Sequence, residues 1–518
     1  MRGLTRRALF AGSAAGAGAA LLPTGPAQAR PNSKPARTCV SYRAGYHFTV
    51  PDQWKNDPQR PVWIDGEYHY YYLYNADYLA GGEVGTAWRL ATSTDLVSFT
   101  DRGIAVPKDT TVNGDVWSGS AVVDSGGTAG FGAGAVLAVV TMSPGGGTDH
   151  QAQFLYYSTD GGRTFTNHGT DPVLPSPGVG ADFRDPKVIR DEDHDRWVMA
   201  LAEHNKIGFY HSADLKSWTY TGGFVKDGIG VLECPDLFRI TADDGTGKWV
   251  LGVSADGTGS GQPNTYAYWT GSFDGGAFTA DAADPQWLDH GWDWYGAVTF
   301  EKRDTAGSVD PTARYALGWL NNWAYAHTTP TIDADGFNGT DSVVREITLK
   351  KSASGGYHLA SRPVAALDSY VSRTVHLGDL TVEGTRLLDY TGISYELTTE
   401  ITWSQLTGAG VQLRRSPDGG RHIDAGVWGD YAFLNRRGTV NPDTSGNRQE
   451  SHTPFDPSAG RVRLRILVDR TSVEMFVDDG RYVHSSEVFP YLVDDRLALF
   501  TAGGTAVFRN TVVREFTV

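Results

Sequence analysis

Ala91-Thr92-Ser93-Thr94-Asp95-Leu96-Val97-Ser98-Phe99-Thr100 reads as a strand, a tight turn and a second strand. The pattern returns at Tyr157-Ser158-Thr159-Asp160-Gly161-Gly162-Arg163-Thr164-Phe165-Thr166 and at His211-Ser212-Ala213-Asp214-Leu215-Lys216-Ser217-Trp218-Thr219. A worn copy follows at Thr270-Gly271-Ser272-Phe273-Asp274-Gly275-Gly276-Ala277-Phe278-Thr279. In each, an apolar run leads into Ser-x-Asp and then an aromatic residue. The aspartates recur roughly 55–65 residues apart, the period of a repeated β-sheet unit. Hairpins at such a period predict a β-propeller of about five blades over residues 40–365, counting flanking strands beyond the four visible copies. A large β-sandwich is the alternative, but sandwiches do not usually repeat at this period.

After Arg362-Pro363-Val364 the pattern changes. Alternating segments such as Tyr395-Glu396-Leu397-Thr398-Thr399-Glu400-Ile401 are separated by turn signals such as Asp418-Gly419 and Asp479-Gly480. They predict a second all-β domain, a sandwich, over 375–518. Composition agrees with an all-β chain: Gly 63 against Met 4, and aromatics at 12%.

The formal charge is −15, and no Lys/Arg run occurs after residue 30. A nucleic-acid partner needs clustered cations to replace counterions, so that class is excluded. The 15 Trp and 24 Tyr offer flat faces for sugar rings, although most aromatics in such a fold fill sheet cores. Thr5-Arg6-Arg7-Ala8-Leu9-Phe10 resembles a twin-arginine export signal over residues 1–29. The apolar run Ala8 to Leu22 and the small-x-small Ala27-Gln28-Ala29 complete it, and the run is short for a membrane span. A secreted protein without membrane attachment is expected. Twin-arginine export carries folded proteins, so folding precedes oxidation, and Cys39 and Cys234 are expected to be unbridged. No Cys/His spacing suggests zinc, and no metal or cofactor is expected.

Three acids stand out from 60 Asp and Glu by their neighbours. Asp57 lies in Gln53-Trp54-Lys55-Asn56-Asp57-Pro58, where the proline fixes the turn and Trp54 and Asn56 offer a ring platform and an amide. Asp185 lies in Phe183-Arg184-Asp185-Pro186. Glu233 lies in Leu232-Glu233-Cys234-Pro235-Asp236, among apolar groups that would raise its pKa towards that of a general acid. Innermost propeller strands converge on one axis, so acids far apart in sequence can meet there. Two carboxylates about 5 Å apart would support a retaining double displacement on a glycoside. The alternative makes each Asp-Pro a structural turn.

These residues resemble glycoside hydrolase family 32, the invertase, inulinase and levanase group, over roughly 45–518. The likeness rests on Trp54-Lys55-Asn56-Asp57-Pro58, Arg184-Asp185-Pro186 and Glu233-Cys234-Pro235. It continues in Trp117-Ser118-Gly119-Ser120, Asp293-Trp294-Tyr295, Gly318-Trp319-Leu320-Asn321-Asn322-Trp323 and Val468-Asp469-Arg470-Thr471-Ser472-Val473-Glu474-Met475-Phe476. The resemblance implies a five-bladed propeller plus sandwich, a retaining mechanism and no cofactor. It implies Asp57 as nucleophile, Asp185 as transition-state stabiliser and Glu233 as acid/base. Asn56, Trp117, Ser118, Arg184, Tyr295 and Trp319 would line the fructose pocket.

Gln59-Arg60 stands where the family usually has Asn-Gly, and Leu73 where it usually has Gln. These departures resemble the levan-active branch, as do Gln286-Trp287-Leu288-Asp289 and Val344-Arg345-Glu346. They imply a levan hydrolase releasing fructose or levanbiose from a fructan polysaccharide, and a monomer is expected. Gln59, Arg60 and Leu73 stand where they could reshape the path of the second sugar; the alternative is that Arg60 simply pairs with a surface acid. Two readings compete: an intramolecular fructotransferase making a difructose anhydride, and a fructan-binding propeller without catalysis. Asn56 before the nucleophile favours hydrolysis, and three intact acids disfavour the binding module.

Overall fold

A computed structural model describes residues 41–81, 85–144, 150–256, 264–439 and 448–518. The export signal at 1–29 and Cys39 lie outside the described residues, and residues 41–518 form one compact unit. Blade I is β1 (Gln53–Ile64), β2 (Glu67–Asn75), β3 (Ala87–Ser93) and β4 (Thr100–Val106). Blade II is β5 (Gly119–Asp124), β6 (Ala135–Met142), β7 (Ala152–Ser158) and β8 (Thr166–Asn167). Blade III is β9 (Arg184–Asp191), β10 (Arg196–Glu203), β11 (Lys206–Ser212) and β12 (Thr219–Val225). Blade IV is β13 (Val231–Thr241), β14 (Gly247–Asp256), β15 (Asn264–Phe273) and β16 (Phe278–Ala280), with β17 (Gln286–Trp287) also on β15. Blade V is β18 (Tyr295–Arg303), β19 (Val309–Trp319), β21 (Arg345–Lys351) and β22 (Tyr357–Pro363). The short β20 (Phe337–Asn338) leaves blade V and pairs in parallel with the start of β1.

The repeat has a local cause. Its Ser-x-Asp closes the outer hairpin of blades I to IV, where the Asp carboxylate accepts two backbone N–H groups across the turn. Asp95 accepts from Val97 and Ser98 at 2.9 and 3.0 Å, and Asp214 from Lys216 and Ser217 at the same distances. Asp160 and Asp274 do the same with Arg163 and Thr164, and with Gly276 and Ala277. Blade V has no such copy, because its hairpin turns through Ser352 and Gly355, whose φ is +95°.

Each blade is buried on both faces, so its middle strands read as near-continuous apolar runs. In Tyr70-Tyr71-Tyr72-Leu73-Tyr74, the even-numbered tyrosines pack towards Phe300 and Leu317 of blade V. Tyr71 and Leu73 pack with Trp88 towards Val136 and Phe154 of blade II. Similar cores separate blades II and III, III and IV, and IV and V, closing the ring.

The remaining strands form one sheet: β23 (Val371–Thr391), β24 (Tyr395–Trp403), β25 (Gly408–Arg415), β26 (Ile423–Trp428), β27 (Tyr431–Asn435), β28 (Glu450–Pro454), β29 (Arg461–Val468), β30 (Ser472–Val477), β31 (Tyr482–Glu487) and β32 (Arg496–Phe516). One half of β32 pairs with β25 and the other with β24. The change falls at Gly503-Gly504, where Gly503 has φ +71°, a conformation that glycine adopts without strain. The sheet thereby folds over itself, and Leu397, Ile401 and Ile466 share one core with Val411, Leu413 and Ala425. This is the expected sandwich.

Propeller and sandwich meet through buried charge. His47 Nδ1 lies 2.9 Å from Asp469 and its Nε2 3.0 Å from Glu474, with all three side chains fully buried. Burial alone would lower the His47 pKa, but the two carboxylates outweigh it and raise it to about 9. Burial would raise Asp469 and Glu474, but His47, and for Glu474 first Arg345, hold them at about 2. The raised His47 pKa adds stability that is complete below about pH 6.5 and is lost as pH rises through about 9. The depressed carboxylates add stability that is complete above about pH 4.5 and is lost as pH falls towards 2. The thermal midpoint should therefore be highest between about pH 4.5 and 6.5 and decline on both sides. His47→Gln should flatten the alkaline decline; an unchanged slope there would show that His47 does not link stability to pH.

Candidate active site

The three X-Pro motifs share one local structure. Along β1, Lys55 pairs with Tyr74 and Pro58 with Tyr72, so Asn56 and Asp57 together face one residue. Along β9, Asp185 and Pro186 oppose one residue between Ala200 and Ala202. Along β13, Cys234 and Pro235 oppose one residue between Gly252 and Ser254. Each is a β-bulge on the innermost strand of a blade. A bulge re-aims the side chains beside it, and an edge strand tolerates a residue without an N–H. Asp185 and Cys234 take left-handed φ values of 62° and 47° there. The backbone leaves its ladder at Asp57 and Asp185 and immediately after Glu233.

Asp57, Asp185 and Glu233 are 4%, 4% and 2% exposed. Ser118, just before β5, donates to Asp57 Oδ2 at 2.9 Å. Cys234 N–H donates to Asp185 Oδ2 at 3.0 Å, and Asp185 N–H donates to Thr141 Oγ1 at 3.0 Å. Glu233 Oε1 accepts from Arg184 Nε and Nη2 at 3.2 and 3.1 Å, and Oε2 accepts from the Tyr295 hydroxyl. All five blades thus supply a group. Burial, set against Arg184 and reinforced by the negative charges of Glu233 and Asp57, raises the Asp185 pKa to about 6. That mutual effect is the electrostatic sign of acids sharing one site.

An aromatic wall stands beside Asp57. Trp54 stacks on His327 at 4.7 Å and meets Trp319 edge-on at 5.8 Å, and its indole N–H donates to Asn56 Oδ1 at 3.1 Å. Trp319 is fully buried, its N–H without a hydrogen-bond partner, and packs against Trp323 at 4.9 Å. Trp117 is half-buried and its indole donates to Asp115 at 2.8 Å. Among the described residues, no group of three or more His, Cys, Asp or Glu is placed to hold a metal ion.

Residues 47–363 match the profile of the glycosyl hydrolases family 32 N-terminal domain, and 365–515 that of the family 32 C-terminal domain. The chain belongs to glycoside hydrolase family 32. It is a glycoside hydrolase of the fructofuranosidase type. This family 32 chain is 53% identical over 478 residues to a levanbiose-producing levanase of Bacillus subtilis (strain 168), covering 92% of this chain and 91% of that one. It is 52% identical over 403 residues to a levanbiose-producing levanase of Geobacillus stearothermophilus, covering 77% of this chain and 100% of that one. Among solved structures, the exo-inulinase from Aspergillus awamori superposes with a TM-score of 0.81 at 27% identity, covering 92% of this chain and 98% of that one.

Three expectations for this family 32 enzyme need correction. Gln59 and Arg60 do not line the sugar path: both are buried behind the acids. Gln59 Nε2 donates to the Asp57 carbonyl and to Ser118 Oγ at 3.1 and 3.3 Å. Arg60 donates to the carbonyls of Gly119 and Pro235, tying blades I, II and IV, and among the described residues it pairs with no surface acid. Leu73 faces the core between blades I and II, not the second sugar. Finally, the oxygens of Glu233 meet Arg184 and Tyr295, not the apolar setting its sequence neighbours suggested. Cys234 is buried with a free thiol.

Sequence reasoning passed over Gly296. A Cβ placed there would lie 2.7 Å from Asp57 Oδ1, and its φ is +56°. Gly296→Ala should lower kcat at least about tenfold while leaving the fold intact, because displacing a reacting group by a fraction of an ångström forfeits orientation. Wild-type turnover in this variant would show that the position of Asp57 is not what this glycine protects.

Proposed function

We propose that this enzyme hydrolyses levan and releases levanbiose by a retaining double displacement. Asp57 attacks the anomeric C2 of a fructosyl unit as the glycosidic C–O bond breaks, and Glu233 gives its proton to the leaving oxygen. Water then attacks C2 of the fructosyl–Asp57 ester, Glu233 takes its proton, and Asp57 leaves as a carboxylate. Asp185 holds the ring hydroxyls, and Asn56, Trp117, Ser118, Arg184, Tyr295 and Trp319 shape the pocket. The observation carrying the chemistry is the convergence of three buried acids from three blades, each engaged by a donor from a neighbouring strand. The substrate rests on the Bacillus subtilis relative, whose product is levanbiose. The signal-like first 29 residues support delivery of the folded enzyme outside the cell, where levan lies. An arginine-pair variant retained in the cytoplasm is the test of that route.

The pocket meets the same fructose ring in levan and inulin, so discrimination lies in the sugars beyond it. A preference for levan of at least about tenfold in kcat/KM is expected, which needs only about 1.4 kcal/mol of differential transition-state binding. Incubation with levan, inulin and sucrose, followed by product identification, tests both parts. Levanbiose as main product supports the reading. Equal rates on inulin, a preference for sucrose, or a difructose anhydride would overturn it.

A further inference from the structure

With Gln59, Arg60 and Leu73 buried away from solvent, another group must meet the sugars on the leaving side of the scissile bond. A hydrogen-bonded chain runs outward from Glu233. Arg184 bonds Glu233 at 3.1 Å and also bonds Asp182. The other Asp182 oxygen meets His204 Nδ1 at 2.8 Å. Side-chain exposure climbs along it: 3% for Glu233, 13% for Arg184, 30% for Asp182 and 63% for His204. The chain therefore leads from the buried acid to solvent.

His204 is also held rigidly. It sits at the tip of the β10–β11 hairpin with φ 65°, the backbone of a two-residue turn. Its carbonyl accepts the N–H of Leu232 at 2.7 Å, and Leu232 precedes Glu233. The carbonyl of Asn205 accepts the N–H of Lys226 at 2.9 Å, and its side chain donates to Asp227 at 2.7 Å. A turn so pinned costs little entropy when a ligand docks on it. With Nδ1 engaged by the Asp182 carboxylate, Nε2 is the ring nitrogen left to meet a sugar hydroxyl.

We propose that His204, oriented by Asp182, is the specificity-determining contact for the leaving portion of the fructan chain. The inference rests on the assignment of Glu233 to the leaving-group side and of levan as substrate. Sucrose has one small leaving sugar, whereas levan continues past it, so the two substrates separate this contact from chemistry. His204→Ala should lower the ratio of kcat/KM on levan to kcat/KM on sucrose about tenfold, chiefly by raising KM on levan. His204→Gln, which keeps an acceptor, should recover most of that ratio. Asp182→Asn should depress both substrates, because it also holds Arg184. An unchanged ratio in His204→Ala, or an equal loss on both substrates, overturns the proposal. Wild-type enzyme that leaves levan uncut would instead overturn the function on which it rests.

Discussion

Asp57→Ala and Glu233→Ala should each lower kcat on levan by at least about a hundredfold, the scale of losing a nucleophile or a proton donor. The two losses should differ in kind. Without Glu233 the ester to Asp57 can still form when the leaving group needs no proton, so an activated fructoside or added azide should restore part of the rate. Without Asp57 there is no ester, and neither device should help. The geometry sharpens the contrast, because Ser118 would remain poised at an empty position in one variant, and Arg184 and Tyr295 in the other. Product release measured on levan and on an activated fructoside checks both arms. Near-wild-type turnover of either variant on levan removes these assignments.

Arg345→Met should destabilise the protein by about 3–5 kcal/mol, the cost of leaving a buried charge without its partner. Arg345 is fully buried between propeller and sandwich. It bonds Asp289 at 2.7 Å and Glu474 at 3.1 Å, and its guanidinium lies 4.5 Å from the centre of the Trp294 ring. Methionine fills similar volume but leaves Asp289 without its cation and Glu474 with His47 alone. Urea unfolding should show a lower midpoint, and the loss should reach activity, because Trp294 precedes Tyr295, the partner of Glu233. An unchanged midpoint would show that the acids find other compensation.

The propeller was legible because its signal is local: Ser-x-Asp satisfies backbone donors within its own turn. Blade V was silent for the same reason, its turn using Ser352 and Gly355. The acids were legible because a proline directly after Asp57 and Asp185, and two residues after Glu233, marks where the innermost strand leaves its ladder. Their partners Ser118, Arg184 and Tyr295 came only through the family resemblance, as pocket residues, and not from spacing. Ser118 meets Asp57 across 61 residues and Tyr295 meets Glu233 across 62, and no spacing predicts either. Gln59 and Arg60 were misassigned because the bulge at Asn56-Asp57 breaks the simple alternation that would have told which way they point. His47, Arg345 and Glu474 each look unremarkable alone and acquire meaning only where two domains touch.

The doubled role of β32 bears on how the protein is made. That strand is last in chain order, yet β23, β24 and β25 all pair with it. During synthesis those three can emerge and wait, but the sandwich has no spine until residues 496–516 clear the ribosome. Its contacts with β23 join positions more than 100 residues apart, the kind of pairing that slows folding. The His47 contacts bind the start of the propeller to the sandwich, so the first-made part is also completed late. A nascent chain lacking its final strand would hold unpaired edges, the state most open to aggregation.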